Sequence, residues 1–492
     1  MRPDIKSLLD FRANFAVWAF YRSLPPASNF RVPRDPITIV DLTRSPSVCR
    51  FTRICQGAKF HSLAVSQLGK IAESMGKLVS ELRLFGTRGS PAAYTIRDFL
   101  QRSDVPFRWV ELTTDEQARS EAHVEGLSDA RLPICVFPDG TRLERPTVRQ
   151  VTEQMGCFFN PSQAEYDLAI YGGGPAGLSA AVYGASEGLK TVLIERSAIG
   201  GQASTSSKIE NYLGFPGGIS GADLTARAAK QAHQFGAEIL LLREGVRGEI
   251  QAGKGVGFLA DGTKIVTRAT LCATGINYRR LGLPNEQAFH MNGVYYGAGS
   301  SEAALSKGEH VFVVGGGNSA GQAAMHFSQY AERVSIVIRG DSLKKTLSEY
   351  LLDRVHATAN IEVLSRTEVT ALHGNGSLEG ITLRNNHTGD TRRVETRNLF
   401  LCLGGVPYTE WADAVGIVRD SEGYLMTGPD LLRDGKWPEI WPLDRPPYYL
   451  ETSVPGVFAA GDVRHGSVKR CASAVGEGAM AVTMVHRYLA NG

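Results

Sequence analysis

The stretch from Tyr166 to Glu195, YDLAIYGGGPAGLSAAVYGASEGLKTVLIE, constrains the fold of this chain more than any other part of it. An apolar run, Leu168 to Tyr171, predicts a buried strand. Gly172-Gly173-Gly174-Pro175-Ala176-Gly177 follows at once and fits G-x-G-x-x-G. An Ala/Leu-rich segment then predicts a helix, and Thr191 to Ile194 a second strand. Glu195 ends that strand eighteen residues after the last motif glycine. This is the order required of a dinucleotide-binding βαβ unit. Gly172 makes the turn, Gly174 lets the backbone approach a pyrophosphate, and Gly177 lets helix and strand pack closely. At the helix N-terminus, Pro175 and Ala176 sit where free N–H groups and the positive end of the dipole face the phosphates. Glu195, with Arg196 beside it, is expected to accept hydrogen bonds from the adenosine ribose. The alternative is a glycine-rich turn in an unrelated α/β protein.

A second unit of the same kind lies further on. His310 to Val314 predicts a strand, followed by Gly315-Gly316-Gly317-Asn318-Ser319-Ala320 (G-x-G-x-x-A), a helix to about Ala331 and a strand from Val334 to Ile338. That strand ends in Arg339. An acid there would accept the 2′-hydroxyl of NADH, whereas a cation favours the 2′-phosphate of NADPH. Lys344 and Lys345 follow closely. The expectation is NADPH rather than NADH; the bland alternative makes Arg339 a solvated charge at a strand end.

Ahead of both units, residues 81 to about 155 read β-α-β-α-β-β-α. The strands are Leu82–Gly86, Phe107–Leu112 and Leu132–Phe137, with a helix over Ala92–Arg102 and a hairpin signal at Asp139-Gly140. The order resembles a thioredoxin- or glutaredoxin-like domain, with Pro133 where that family places its cis proline. The resemblance would put the redox dithiol at Ser90-Pro91-Ala92-Ala93, where both cysteines are absent, so disulfide chemistry is unavailable there. Cys135 either lies near the vacated site or is a small buried apolar residue. Residues 1–80 are an N-terminal extension with no assigned chemistry. An amphipathic helix is expected to Tyr21, a proline-punctuated stretch after it, and a helix over Ser66–Glu81.

Gly200-Gly201-Gln202 and Ile209-Glu210-Asn211-Tyr212-Leu213-Gly214-Phe215-Pro216 bring in a fuller resemblance, to flavoproteins of the thioredoxin reductase family. There these segments wrap the isoalloxazine ring and ribityl chain, which implies roles for Gly201, Gln202 and Asn211. Two further signatures appear, Ala273-Thr274-Gly275 and the segment with Gly461 and Asp462. Asp462 matches the acid at the ribityl or pyrophosphate end of FAD. In this family the last helix, opening at Arg470-Cys471-Ala472, points its N-terminus at the flavin and stabilises the reduced, anionic ring. The resemblance covers about residues 165 to 490. It implies an α/β protein of two Rossmann-like (three-layer ββα) nucleotide-binding domains, one inserted in the other, preceded by the thioredoxin/glutaredoxin-like domain at 81–160. The FAD domain is expected at 165–290 and 395–492, and the NAD(P)H domain at 291–394. The sequence departs from the family at Ile338 and Gly340, where the family usually has His and Arg.

The family's inserted domain opens with a C-A-T-C dithiol reduced by the flavin. Here the segment is Gly293-Val294-Tyr295-Tyr296-Gly297-Ala298-Gly299-Ser300, and Gly297 and Ser300 take the cysteine positions. A serine hydroxyl cannot carry the two electrons of a dithiol. Tyr295 and Tyr296 either cover the flavin face left open or pack a domain interface. The Y-Y-G-A segment, SSKIENYLGFPGGISG and VVGGGNSAGQAA resemble a bacterial subgroup of cyclic nucleotide-binding domain-containing thioredoxin-disulfide reductases. Residues 1–80 are too few for the cyclic-nucleotide barrel of that subgroup.

The resemblance implies an FAD-dependent oxidoreductase that takes hydride from NADPH and passes electrons to an acceptor other than an active-site disulfide, a small molecule or a redox protein. One alternative is a flavin- and NADPH-binding sensor without turnover. Another is disulfide reduction by non-motif cysteines such as Cys135 and Cys471. The helix end and Arg470 are expected to favour a Cys471 thiolate; otherwise Cys471 serves as a backbone N–H donor. A homodimer, paired through the FAD domains, is implied by the family. Net charge of +3 gives no reason to expect nucleic acid or an anionic membrane surface, and no apolar run reaches the roughly 18 residues of a membrane helix. The seven scattered cysteines contain no C-x-x-C. They suggest neither a disulfide framework nor a metal site and fit the reducing cytoplasm.

Overall fold

A computed structural model of the chain describes residues 81–297 and 306–491. The expectations for residues 1–80 and for Ala298, Gly299 and Ser300 lie outside the described residues. Leu84–Cys135 and Leu143–Gly492 form one compact unit; Val136–Arg142, a hairpin closed by Phe137 and Thr141, groups apart from it.

Short strands separated by capped helices build the first described part. They run β1 (Leu82–Gly86), α1 (Pro91–Arg102), β2 (Phe107–Glu111), α2 (Asp115–Glu121), β3 (Ile134–Val136), β4 (Arg142–Glu144) and α3 (Val148–Gln154), with sheet order β2-β1-β3-β4. Helix α1 starts where Ser90 accepts the Ala93 N–H and Pro91 occupies the first turn; Ile96, Phe99 and Leu100 are its buried face. The Leu132–Pro133 peptide is cis.

The next part is a mixed sheet whose central strands are buried on both faces. It runs β5 (Tyr166–Tyr171), α4 (Pro175–Ser186), β6 (Thr191–Glu195), a 3₁₀ turn at Gly201–Thr205, α5 (Gly221–Phe235), β7 (Glu238–Leu241), β8 (Gly245–Gln251), β9 (Lys254–Leu259) and β10 (Lys264–Cys272). The sheet order is β7-β6-β5-β10-β9-β8, parallel from β7 to β10 and antiparallel through β9 and β8. The chain leaves through β11 (Asn277–Tyr278) and the short α6 (Glu286–Phe289).

A second sheet, this one parallel, is inserted there. It is laid down by β12 (Val294–Tyr296), β13 (His310–Val314), α7 (Asn318–Phe327), β14 (Arg333–Val337), α8 (Glu349–Ala357) and β15 (Ile361–Leu364). The antiparallel strands β16 (Thr367–His373), β17 (Gly380–Asn385) and β18 (Thr391–Glu395) follow, then β19 (Asn398–Leu401). Strand β19 pairs in parallel with both β12 and β13, giving the order β12-β19-β13-β14-β15. The boundary expected at 394/395 is therefore too early: β19 completes the inserted sheet, and the return falls at β20 (Gly405–Val406), which pairs with β11.

The chain then closes the first sheet. β21 (Val457–Ala459) adds in parallel to the C-terminal half of β10, whose N-terminal half pairs antiparallel with β9. The last helix, α9 (Cys471–Asn491), lies against α4, so that Gly478 meets the Ala176 carbonyl with no room for a Cβ. Phe458, Ala481, Val482 and Val485 of this late segment are fully buried with Leu168, Ile170 and Leu178. Each large apolar side chain of this kind contributes about 1.5–3 kcal/mol when withdrawn from water.

Candidate functional site

Four helices of the structural scaffold, α1, α2, α3 and α5, are capped by the hydroxyls of Ser90, Thr114, Thr147 and Ser220. Helices α4 and α7 have glycine there instead, Gly174 and Gly317, with no side-chain cap. Their first N–H groups are left for another acceptor, and a Cβ on either glycine would meet nothing within 4 Å. The other glycines of the first turn are fixed by contact. Gly172 has φ +109°, and a Cβ on it would stand 2.2 Å from the Ala273 carbonyl oxygen; one on Gly177 would stand 1.9 Å from the Gly172 oxygen. Glu195 is buried and its carboxylate accepts the Gly173 N–H at 2.7 Å and the Ser197 N–H at 2.8 Å. The acid therefore holds the glycine turn as well as facing the space beyond it.

That space is a cavity of about 570 Å³. The first turn contributes Gly172, Gly174, Pro175 and Ala176 to its wall, and the end of β6 contributes Glu195 and Arg196. Gly201 and Gln202 of the 3₁₀ turn, Ala273, Thr274 and Gly275 after β10, Gly461 and Asp462 after β21, and Arg470 and Cys471 at the head of α9 complete the expected set on the wall. Gly177 lies behind the turn, buried against Ile170. Asn211 and Ala472 are exposed and off the wall. Gln202 is fixed by donating to the Ile276 carbonyl at 2.7 Å. Burial raises the Asp462 pKa, with Glu477 acting in the same direction and Lys469 opposing.

Several wall residues carry no local signal in the sequence: Arg102 from α1, Tyr278 from β11, Gln322 from α7, and Cys272 and Cys402. Tyr278 answers the question of what stands where Gly297 has no side chain. Gly297 has φ +77°, and a Cβ there would lie 2.7 Å from the Tyr278 hydroxyl, which sits 3.2 Å from the Thr205 hydroxyl. Tyr278 stacks on Tyr296, at 6.2 Å between ring centroids. Tyr295 and Tyr296 are not on the cavity wall. Tyr295 stacks on Phe400 and meets Tyr94 of α1, and Tyr296 donates to Glu286, so both take the packing role.

Among the described residues, burial acts against the thiolate at the cysteines of the wall. Burial pushes Cys272 and Cys402 up to about 12. Cys471 is also raised, by burial first and by Asp462 second, against the weaker pull of its own backbone and Arg470. The expected Cys471 thiolate is thus not favoured, because desolvation outweighs the helix end. Cys135 is fully buried, off the cavity wall, and raised to about 12. Burial thus acts against the thiolate at both Cys135 and Cys471.

At the second turn Gly315 has φ +139°, and a Cβ on it would stand 2.3 Å from the Cys402 carbonyl oxygen. Ala320 is buried. Asn318 and Ser348 exchange hydrogen bonds at 2.8 Å, and Thr346 donates to the Gly316 carbonyl at 2.6 Å. Arg339, Lys344 and Lys345 are exposed beyond β14. Ser319 alone of the expected second-site residues lies on the wall of the first cavity.

Residues 166–478 match the family model described as pyridine nucleotide-disulphide oxidoreductase. The chain belongs to this family. Within it, the thioredoxin reductase of Bacillus subtilis (strain 168) is 33% identical over 326 residues, covering 66% of this chain and 95% of that one. Among solved structures, the thioredoxin reductase of Lactococcus lactis, in a form described as the FR conformation, superposes with a TM-score of 0.58 at 27% identity, covering 66% of this chain and 100% of that one. That of T. acidophilum gives 0.58 at 28% identity, covering 66% and 99%. This pyridine nucleotide-disulphide oxidoreductase is thus thioredoxin reductase-like, and proteins of that family bind FAD and NADPH. The glycine cradles, the uncapped helix ends and the buried Glu195 fit dinucleotides. Among the described residues no helix is long and apolar enough to cross a membrane.

Proposed function

We propose that this flavoprotein oxidises NADPH and passes the electrons to an acceptor other than an active-site C-x-x-C disulfide. The observation that carries the proposal is Gly297, which has a left-handed backbone and a tyrosine hydroxyl where its side chain would be. A thiol at that position has neither a residue to bear it nor space to occupy. The resemblance to the subgroup of cyclic nucleotide-binding domain-containing reductases belongs to the same reading, as does a thioredoxin-like part over 81–160 whose Ser90-Pro91-Ala92-Ala93 turn lacks both cysteines.

Bound FAD and NADPH supply hydride transfer from nicotinamide to flavin. The chain's own residues bind and orient. In this reading Gly172, Gly174 and the N–H groups of α4 hold the FAD pyrophosphate, and Glu195 and Arg196 hold the adenosine end. Gly201, Gln202 and the head of α9 would bound the ring, with Tyr278 and Gly275 on the same cavity wall, and Asp462 would take the ribityl or pyrophosphate end. Gly315, Gly317, Asn318, Ser319 and Ala320 take the NADPH pyrophosphate, and Arg339 and Lys344 the 2′-phosphate. Proteins of this family are typically homodimers, and this chain is proposed to pair likewise.

Anaerobic mixing of the flavin-loaded protein with NADPH or NADH tests the proposal. Rapid bleaching of the oxidised flavin band, faster with NADPH, is the expected result. No bleaching over minutes would leave a nucleotide-binding protein without turnover. A panel of ferredoxin, quinones, oxygen and aromatic disulfides then identifies the class of acceptor.

A further inference from the structure

The first described part carries no dithiol, yet it reaches the cavity through Arg102, the last residue of α1. Its side chain is 18% exposed and makes three contacts. Nη2 donates to the Gly201 carbonyl at 3.0 Å, Nε donates to the Ser204 hydroxyl at 2.9 Å, and Nη1 reaches Asp98 one turn back at 3.3 Å. Both acceptors outside α1 belong to the 3₁₀ turn Gly201–Thr205. The far side of that turn is tied down by Gln202 donating to the Ile276 carbonyl and by Thr205 facing the Tyr278 hydroxyl. The turn is therefore gripped from two sides, and one grip comes from a segment a hundred residues earlier in the chain.

A surface arginine ordinarily keeps its guanidinium in water, because ordering so long a side chain costs conformational entropy. Here the planar fork is committed to a carbonyl and a hydroxyl of one turn, a geometry lysine cannot copy. The guanidinium also lines the cavity beside Gly201, Gln202 and Tyr278. A cation at that wall stabilises negative charge in the cavity, partly offset by its ion pair with Asp98.

We propose that Arg102 is a positioning residue of the flavin site. It holds the Gly201–Thr205 turn against the ring and biases the bound flavin toward its reduced, anionic state, which makes the part of the chain around α1 a wall of the flavin site. This rests on the reading of the cavity as the FAD site.

The test uses the full chain, stripped of flavin and titrated with FAD, with the midpoint potential of the bound flavin as second readout. Arg102→Gln is expected to weaken FAD binding by about ten- to 100-fold, the scale of a lost charge-assisted hydrogen bond, and to shift the potential to more negative values. Arg102→Lys is expected to recover the potential more fully than the affinity, because it keeps the charge and loses the fork. Ser204→Ala, which removes one acceptor of Arg102 and the Ser204 hydroxyl's own donation to the Gly201 carbonyl at 2.8 Å, is expected to weaken FAD binding in the same direction by less, and by a smaller factor still once Arg102 is Gln. Should Arg102→Gln not fold, Ser204→Ala alone decides. Unchanged affinity and potential in the folded variants overturn the inference. A wild-type chain that takes up no FAD overturns instead the reading of the cavity on which it rests.

Discussion

The two glycine turns, Gly172–Gly177 and Gly315–Ala320, are built alike and closed differently. In each, the first glycine has a positive φ and lies against the carbonyl of a neighbouring strand end, Ala273 in one case and Cys402 in the other. In each, the helix begins at an uncapped glycine. The difference is in what binds the turn from beside. At the first, the buried carboxylate of Glu195 accepts the Gly173 N–H. At the second, the neutral Thr346 hydroxyl donates to the Gly316 carbonyl, and exposed Arg339 lies two residues beyond the end of β14. A carboxylate suits ribose hydroxyls and repels an extra phosphate; a cation does the reverse. One backbone device thus recurs at both turns, and in the proposed reading the side chain after the strand separates the two nucleotides.

The largest effect is expected where the turns are most tightly made. Gly177→Ala drives a methyl group into the Gly172 carbonyl and should cost about 3 kcal/mol, with loss of flavin on purification. Gly317→Ala, with open space around it, should stay within about 0.5 kcal/mol in urea unfolding while raising the KM for NADPH. Equal losses at both positions would break the comparison.

Exchanging the strand-end charges comes next. Arg339→Glu should lower kcat/KM for NADPH by roughly ten- to 100-fold and raise that for NADH. Glu195→Ala should cost about 2 kcal/mol in stability by leaving the Gly173 N–H unpaired, and should weaken FAD binding. A nicotinamide preference indifferent to Arg339 would remove the charge from the explanation.

A smaller effect concerns the place where the two halves meet. Gly297→Ala should destabilise by about 1–3 kcal/mol, from the left-handed backbone and the Tyr278 hydroxyl together. Tyr278→Phe should recover only the second share, read as coupling in a double-mutant cycle. The smallest is a pH effect. Because burial raises the Asp462 pKa in the folded chain, its stabilising form is the protonated one. That contribution is complete below the unfolded Asp value and is lost as pH rises through the folded one. Flavin-free Asp462→Asn should therefore melt above the wild type at pH 7 and level with it in strong acid.

What the sequence disclosed, it disclosed locally. Gly172, Gly174, Pro175 and Glu195 sit within one βαβ unit, so spacing alone brings them together. Ala273, Gly461 and Cys471 were reached through segments characteristic of a family, and they converge on the same cavity. Arg102, Tyr278, Cys402 and Gln322 could not be found this way. Each reaches the wall because distant elements pack, and nothing beside them in the chain announces it. The Cys471 thiolate failed for a related reason: the helix end and Arg470 are visible in sequence, whereas the burial that outweighs them is not. The inserted domain was ended too soon because β19 looks like any apolar run until its two parallel neighbours are known.

Strand β10 has one edge shared by two partners, β9 made just before it and β21 made some two hundred residues later. During synthesis, then, the first sheet waits. The face of α4 that receives α9 and the second half of the β10 edge stay open while the whole inserted domain emerges. The part of the cavity wall made by Gly461, Asp462 and Cys471 is consequently the last to be synthesised, and the inserted domain has the opportunity to fold before the domain that surrounds it.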